Sequence, residues 1–199
     1  TNATLAGWRH DFAQGDLPYY FVQVAPYKWG KKDSTLNWYA KFREAQEGIL
    51  KTKNTGMAVI MDIGEPDNIH PLNKKDVGIR LAKAALNQTY GEDIVALGPH
   101  YKKFKVDGNW VKVQFDKKTI GSGLKTIDGL PPKHFYVAGP DKKFYKAEAR
   151  IAGNEVWLNA REVQQPVAIR YAFTNAPITN LAGSTGLPAV PFRTDNWDN

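Results

Sequence analysis

The chain reads as an α/β protein: an incomplete doubly wound parallel sheet over residues 1–92, followed by a β-sandwich-like module over 93–199. Three observations predict this. Two continuous apolar runs, 17–24 and 57–63, are each followed by a segment of helical periodicity, as expected for parallel strands buried on both faces. After about Asp93 the periodicity changes from helical to alternating. Two tight-turn signals, Asp107-Gly108 and Gly153-Asn154, then punctuate the alternating runs.

Taken in order, run 17–24 opens at Pro18, and Gln23 is its only polar interruption. Asp33 or Ser34 can cap the helix predicted over 36–51, in which Trp38, Phe42, Ala45 and Ile49 recur at helical spacing opposite Arg43, Glu44 and Glu47. The second apolar run is broken only by Asp62. Behind it Val77, Leu81 and Ala84 or Ala85 mark another helix, started by Asn73 with Asp76 and stopped near Gly91. In the second half Val111, Val113 and Phe115 share one face of a strand. Residues 144–151 and 155–159 form a hairpin, and 167–173 one more strand beyond Pro166. Proline and glycine crowd 176–192, which predicts an ordered but irregular strap with a frayed end beyond it. Two parallel strands and two helices cannot complete a doubly wound sheet, so this half is expected to be truncated at its N-terminus, with more chain or another polypeptide completing it.

Composition narrows the function classes. The 199 residues are 42% hydrophobic and 12% aromatic, enough to build packed cores rather than a disordered chain. No apolar run approaches the ~20 residues of a membrane span. Zero cysteines exclude thiol nucleophiles, disulfides and Cys-based metal sites. The 27 Lys+Arg against 20 Asp+Glu give a formal charge of +7. The densest basic stretches, 101–105 and 142–146, alternate with apolar residues like the solvent face of a strand. No helix-turn-helix, RNP-like or metal-finger pattern accompanies them, so no nucleic-acid partner is expected. The chain begins with Thr1 and carries no signal sequence, which reads as a processed product or a fragment.

One histidine has a mechanism attached to its context. Asp67-Asn68-Ile69-His70-Pro71 follows the second buried strand and precedes its helix, where a parallel sheet presents functional loops. A carboxylate three residues before a histidine can hydrogen-bond one ring nitrogen and stabilise the imidazolium, leaving the other nitrogen to take a proton from a nucleophile. Geometry of that kind would place an Asp67 oxygen within ~3.2 Å of the His70 ring. On spacing alone D-x-x-H is a weak signal, and a capping Asp with a merely hydrogen-bonded His is the more ordinary reading.

The run Ala58-Val59-Ile60-Met61-Asp62-Ile63-Gly64, then Asp67-Asn68-Ile69-His70-Pro71, Lys74-Lys75, Val77-Gly78, Arg80-Leu81-Ala82 and Tyr90-Gly91, resembles the C-terminal catalytic block of sialate O-acetylesterases in the SGNH hydrolase superfamily. Gly7-Trp8-Arg9, Gly15-Asp16-Leu17-Pro18 and Phe21-Val22-Gln23-Val24 look like the segment before that block. Arg170-Tyr171-Ala172, Gly186-Leu187-Pro188 and Pro191-Phe192-Arg193-Thr194-Asp195 look like the family's closing β module. The resemblance implies a flavodoxin-like sheet and hydrolysis of a sugar O-acetyl ester through a serine acyl-enzyme. It implies Asp67 as triad carboxylate, His70 as general base, and no metal or other cofactor. The family's serine block and its oxyanion donors would lie before Thr1, which makes an upstream Ser-bearing segment or chain the expected partner and this chain alone inactive. An acetylxylan-type substrate is the alternative within the class, and a non-catalytic carbohydrate-binding module the alternative outside it. The resemblance favours a secreted, periplasmic or lysosomal enzyme.

The remaining candidates are mostly structural. Ser34 reads as a helix cap, while Ser122 and Ser184 sit in turn-rich stretches without a strand-to-helix elbow. Asp62 is expected to hydrogen-bond loop amides rather than reach the site, and Glu65 to be solvated. Gln23 either supports the site or satisfies a buried backbone group. His10, His100 and His134 lack a spaced second ligand. Tyr27, Trp29 and Trp38 cluster near a loop and could stack on a sugar, although Trp38 fits the helix's core face. Asn2-Ala3-Thr4 and Asn87-Gln88-Thr89 match the glycosylation pattern.

Overall fold

The computed structural model describes residues 2–28 and 37–197. The first half runs α1 (Asn2–Phe12), β1 (Tyr19–Val22), α2 (Trp38–Glu47) with a 3₁₀ turn (Gly48–Lys51), β2 (Thr55–Ala58) and α3 (Lys74–Gln88). The second half is β3 (Tyr101–Asp107), β4 (Trp110–Phe115), the one-turn α4 (Lys117–Ile120), β5 (Leu124–Thr126), β6 (Phe135–Ala138), β7 (Phe144–Lys146), β8 (Glu148–Ala152), β9 (Glu155–Asn159), β10 (Ala168–Tyr171), β11 (Leu181–Gly183) and β12 (Phe192–Arg193). It is a mixed α/β fold with several antiparallel sheets.

The two apolar runs do pair in parallel, Tyr19 opposite Thr55 and Val22 opposite Ala58. The ladder is shorter than either run because the backbone beyond it finds other partners. The Val24 amide donates to Gln46 Oε1 at 2.8 Å, Arg80 donates to the Val59 carbonyl at 2.7 Å, and the Thr179 amide donates to the Met61 carbonyl at 3.0 Å. These bonds take up backbone groups at three exits from the sheet. α3 starts where expected, the Asn73 side chain accepting from the Asp76 amide at 3.1 Å. α1 was not legible, since it buries only Leu5 and carries Gly7 at its centre.

α2 turns a different face inward from the one its periodicity predicts. Trp38 and Phe42 are 70% and 55% exposed, whereas Ala40 and Arg43 are buried. The reason is the Arg43 guanidinium, which donates to four carbonyls: Val24 at 3.1 Å, Ala25 at 3.4 Å, Thr174 at 2.8 Å and Asn175 at 2.5 Å. A polar side chain that meets this many acceptors can enter a core that an apolar count reserves for tryptophan. The cap candidates Asp33 and Ser34 lie outside the described residues.

The β half follows its alternation closely. Val111, Val113 and Phe115 are buried on one side of β4, and Gly108 adopts φ 57° in the turn between β3 and β4. The run 144–151 is not one hairpin arm. It breaks at Ala147, so that β7 pairs with β6 in one sheet (order β12-β10-β6-β7) and β8 with β9 in the other (order β3-β4-β9-β8). Both sheets send side chains into one cluster, among them Val113, Leu158, Val137, Ile169 and Tyr171. A second cluster of Phe21, Ile49, Met57, Val59 and Met61 underlies the parallel strands and takes in Val190 from the strap. The strap is as irregular as predicted, carrying only β11 and the start of β12, and it is largely buried; the chain's last two residues, part of the end predicted to fray, lie outside the described residues.

Candidate active-site loop

Residues 64–72 leave β2 and return to α3. Glu65, expected to be solvated, fastens the loop: its carboxylate accepts from the Leu72 amide at 2.8 Å and its carbonyl accepts from the Asn68 amide at 2.9 Å. Asn68 Oδ1 accepts from the His70 amide at 2.9 Å, and Pro71 is buried behind it. The segment after β1 crosses over this loop, with the Lys28 amide donating to the Pro66 carbonyl at 2.7 Å. Gly64 allows that crossing, because a Cβ there would stand 2.4 Å from Pro26 Cδ.

The loop presents Asp67 and His70 side by side in sequence but not bonded in space. Among the described residues no hydrogen bond or ion pair joins them; Asp67 is 87% exposed and faces Lys28 Nζ at 3.8 Å, and His70 is exposed. The ~3.2 Å contact expected from a preformed pair is therefore absent in this arrangement. Both side chains stand on a backbone fastened by the bonds of Glu65 and Asn68. Sequence reasoning misses Lys28 and takes Glu65 for a solvated residue. Only the strand-crossing geometry brings Lys28 to the loop, and no spacing signal encodes it.

Asp62 does not serve loop amides. Its two oxygens accept from Arg80 at 2.6 and 2.7 Å in a buried bidentate pair that fastens α3 beneath the loop. Gln23 donates to the Arg43 carbonyl at 3.3 Å, while its own buried Oε1 has no hydrogen-bond partner among the described residues. Ser184 Oγ accepts from the Ser122 amide at 2.9 Å, a turn staple rather than a nucleophile beside a base. Tyr27 packs edge-on against Tyr39, ring centroids 6.0 Å apart, and Trp38 is at the surface instead of the core; Trp29 lies outside the described residues. His100 pairs with Glu47 at 2.7 Å and His134 with the Ile178 carbonyl at 2.9 Å. Arg170 and Asp195, at opposite ends of the C-terminal motif strings, pair at 2.7 and 3.0 Å.

A parallel strand pair with an Asp-x-x-His loop at its carboxyl end is joined here to antiparallel sheets, and this arrangement is similar to that of a carbohydrate acetylesterase. A carbohydrate acetylesterase from Xanthomonas citri superposes with a TM-score of 0.89 at 40% identity, over 98% of this chain and 45% of that one. The rat sialate O-acetylesterase is 31% identical over 120 residues, which cover 52% of this chain and 22% of the rat protein. The chain is thus sialate O-acetylesterase-like in sequence and carbohydrate-acetylesterase-like in fold, and it spans less than half the length of either relative. No protein-family profile matches it.

Proposed function

We propose that this chain is the histidine- and aspartate-bearing C-terminal part of a sialate O-acetylesterase-like enzyme, which removes acetyl groups from O-acetylated sugars with a serine lying upstream of Thr1. The observation that carries this reading is the 40% identity along 98% of the chain to a carbohydrate acetylesterase, because the Asp67–His70 loop lies within that span. Residues 1–92 are then the end of a flavodoxin-like SGNH sheet and 93–199 a β-rich module. Two features support an upstream partner. Among the described residues no strand pairs with the outer side of β1, and Trp38 and Phe42 present an exposed apolar stripe. The enzyme is exported, to the periplasm, the lysosome or the medium.

In this mechanism a His70 ring nitrogen takes the serine proton as Oγ attacks the acetyl carbonyl carbon, and Asp67 stabilises the imidazolium. Collapse of the tetrahedral intermediate breaks the bond to the sugar oxygen, which leaves with the proton from His70. Water then attacks the acetyl-enzyme, again giving its proton to His70, and acetate departs as the serine is reprotonated. Rotation of Asp67 from Lys28 toward His70 completes the pair.

The test is turnover of an activated acetyl ester by the isolated chain and by the chain extended upstream through the serine segment. The isolated chain should give no acyl-enzyme burst. The extended chain should turn over, lose on the order of 10⁴-fold or more in His70→Ala, and be unchanged in Ser184→Ala. Robust turnover by the isolated chain that vanishes in Ser184→Ala would overturn the assignment.

A further inference from the structure

The solvent face of the β3-β4-β9-β8 sheet carries an aromatic pair that the esterase mechanism does not use. Trp110 and Trp157 stand 6.2 Å apart between ring centroids, on neighbouring strands. The Arg150 guanidinium lies over both, 4.4 Å from the Trp110 ring and 5.0 Å from the Trp157 ring. Stacking occupies the face of a guanidinium and leaves its in-plane N–H donors at the edge available. Among the described residues those donors meet no carboxylate and no carbonyl, although Arg150 is exposed and its orientation is held by two indoles.

The donors border a cleft. A cavity of about 740 Å³ opens between β8 and the loop before β6, walled by Trp110, Leu130 and Pro131 on its apolar side and by Lys146 and Arg150 on its charged side. Lys146 has no ion-pair partner among the described residues, and the one cleft carboxylate, Glu148, faces Arg161 at 3.6 Å. Lys133 also borders the cleft but is bound to Asp128 at 2.6 Å. The balance of the cleft is positive. The nearby His134 is held below its ordinary pKa, first by burial and further by the charges of Lys146 and Lys133.

We propose that this cleft binds an acidic glycan, with a sugar carboxylate on the edge of Arg150 supported by Lys146, and with the apolar face of the pyranose against Trp110 and Leu130. A planar carboxylate matches the guanidinium edge bidentately, and the flat C–H face of a pyranose matches an indole. The site lies in the β half, apart from the Asp67–His70 loop. It stands whether or not the chain is part of an esterase, because its test reads binding alone.

Calorimetric titration of the 199-residue chain with trigalacturonate, and with its trimethyl ester as the uncharged counterpart, checks this. The acid should bind at least about tenfold tighter than the ester, and more weakly as salt rises. Arg150→Gln should lose about tenfold in affinity and Arg150→Lys an intermediate amount, because lysine keeps the charge without the planar fork. Trp110→Ala should weaken both, and the acid more than the ester, because it removes the pyranose contact and also releases Arg150 from its stack. An unchanged thermal unfolding curve for Arg150→Gln separates loss of the site from loss of fold. Equal affinity for acid and ester, no measurable binding of the acid, full affinity in Arg150→Gln, or tighter binding of a thymidylate oligonucleotide than of trigalacturonate would each overturn the proposal.

Discussion

Arg43 shows how much one side chain can hold. It is fully buried without a carboxylate partner among the described residues, and its charge is spread over four carbonyl oxygens contributed by residues 24, 25, 174 and 175. Burial pulls its pKa down to about 9, so the guanidinium stays protonated at neutral pH. Replacing it by methionine preserves much of the volume but removes the donor from four carbonyls, two of them in buried bonds, and stability should fall by about 3 kcal/mol or more. Arg43→Lys should recover only a fraction, since an ammonium cannot span acceptors from two separate chain segments. Chemical denaturation of the two variants measures both effects. The buried pair of Asp62 and Arg80 works on the same principle, with the carboxylate supplying the acceptors.

At the level of elements, the loop 64–72 is held as a rigid platform. Its amides are taken up by Glu65 and Asn68, and its base is pressed against Pro26 through a glycine that has no room for a side chain. Gly64→Ala places a methyl 2.4 Å from Pro26 Cδ, a clash that must push the β1 extension away from the loop. We expect a loss of about 1–3 kcal/mol, together with weaker protection of the Lys28 amide in hydrogen exchange, because that amide bonds across the same contact. An unaltered exchange rate at Lys28 would show that the crossing does not depend on this close approach.

Across the whole molecule, the two cores are joined by contacts that converge on α2. Arg193 grips Glu44 with two bonds of 2.8 Å, and His100 Nε2 lies 2.7 Å from Glu47 Oε1, on either side of a cleft of about 410 Å³. The hydrogen bond to Glu47 raises the His100 pKa, outweighing partial burial, with Asp116 adding to the same effect. A raised folded-state pKa means that the stabilisation is fully present below the unfolded value of about 6.5 and is lost as pH rises through the higher folded value. His100→Gln should therefore cost up to about 1 kcal/mol near pH 6 and little near pH 9, the pair being partly exposed. Thermal unfolding at the two pH values reads the difference.

The sequence by itself determined the local order of this protein. Alternation along 110–115, continuity in the runs 17–24 and 57–63, and the Asn73 cap depend on neighbours within one element, and the parallel pairing of those runs follows from their burial on both faces. The Asp67 and His70 positions were legible as a motif for the same reason, since their spacing lies within one loop. The tertiary structure alone decided which face of α2 turns inward, because the acceptors of Arg43 lie more than 130 residues away in its chain as well as beside it. It alone split the run 144–151 at Ala147, where the partners of β7 and β8 belong to different sheets. It alone brought Lys28 to Asp67 and set Arg150 over two tryptophans, pairings between strands that no periodicity within a single strand records.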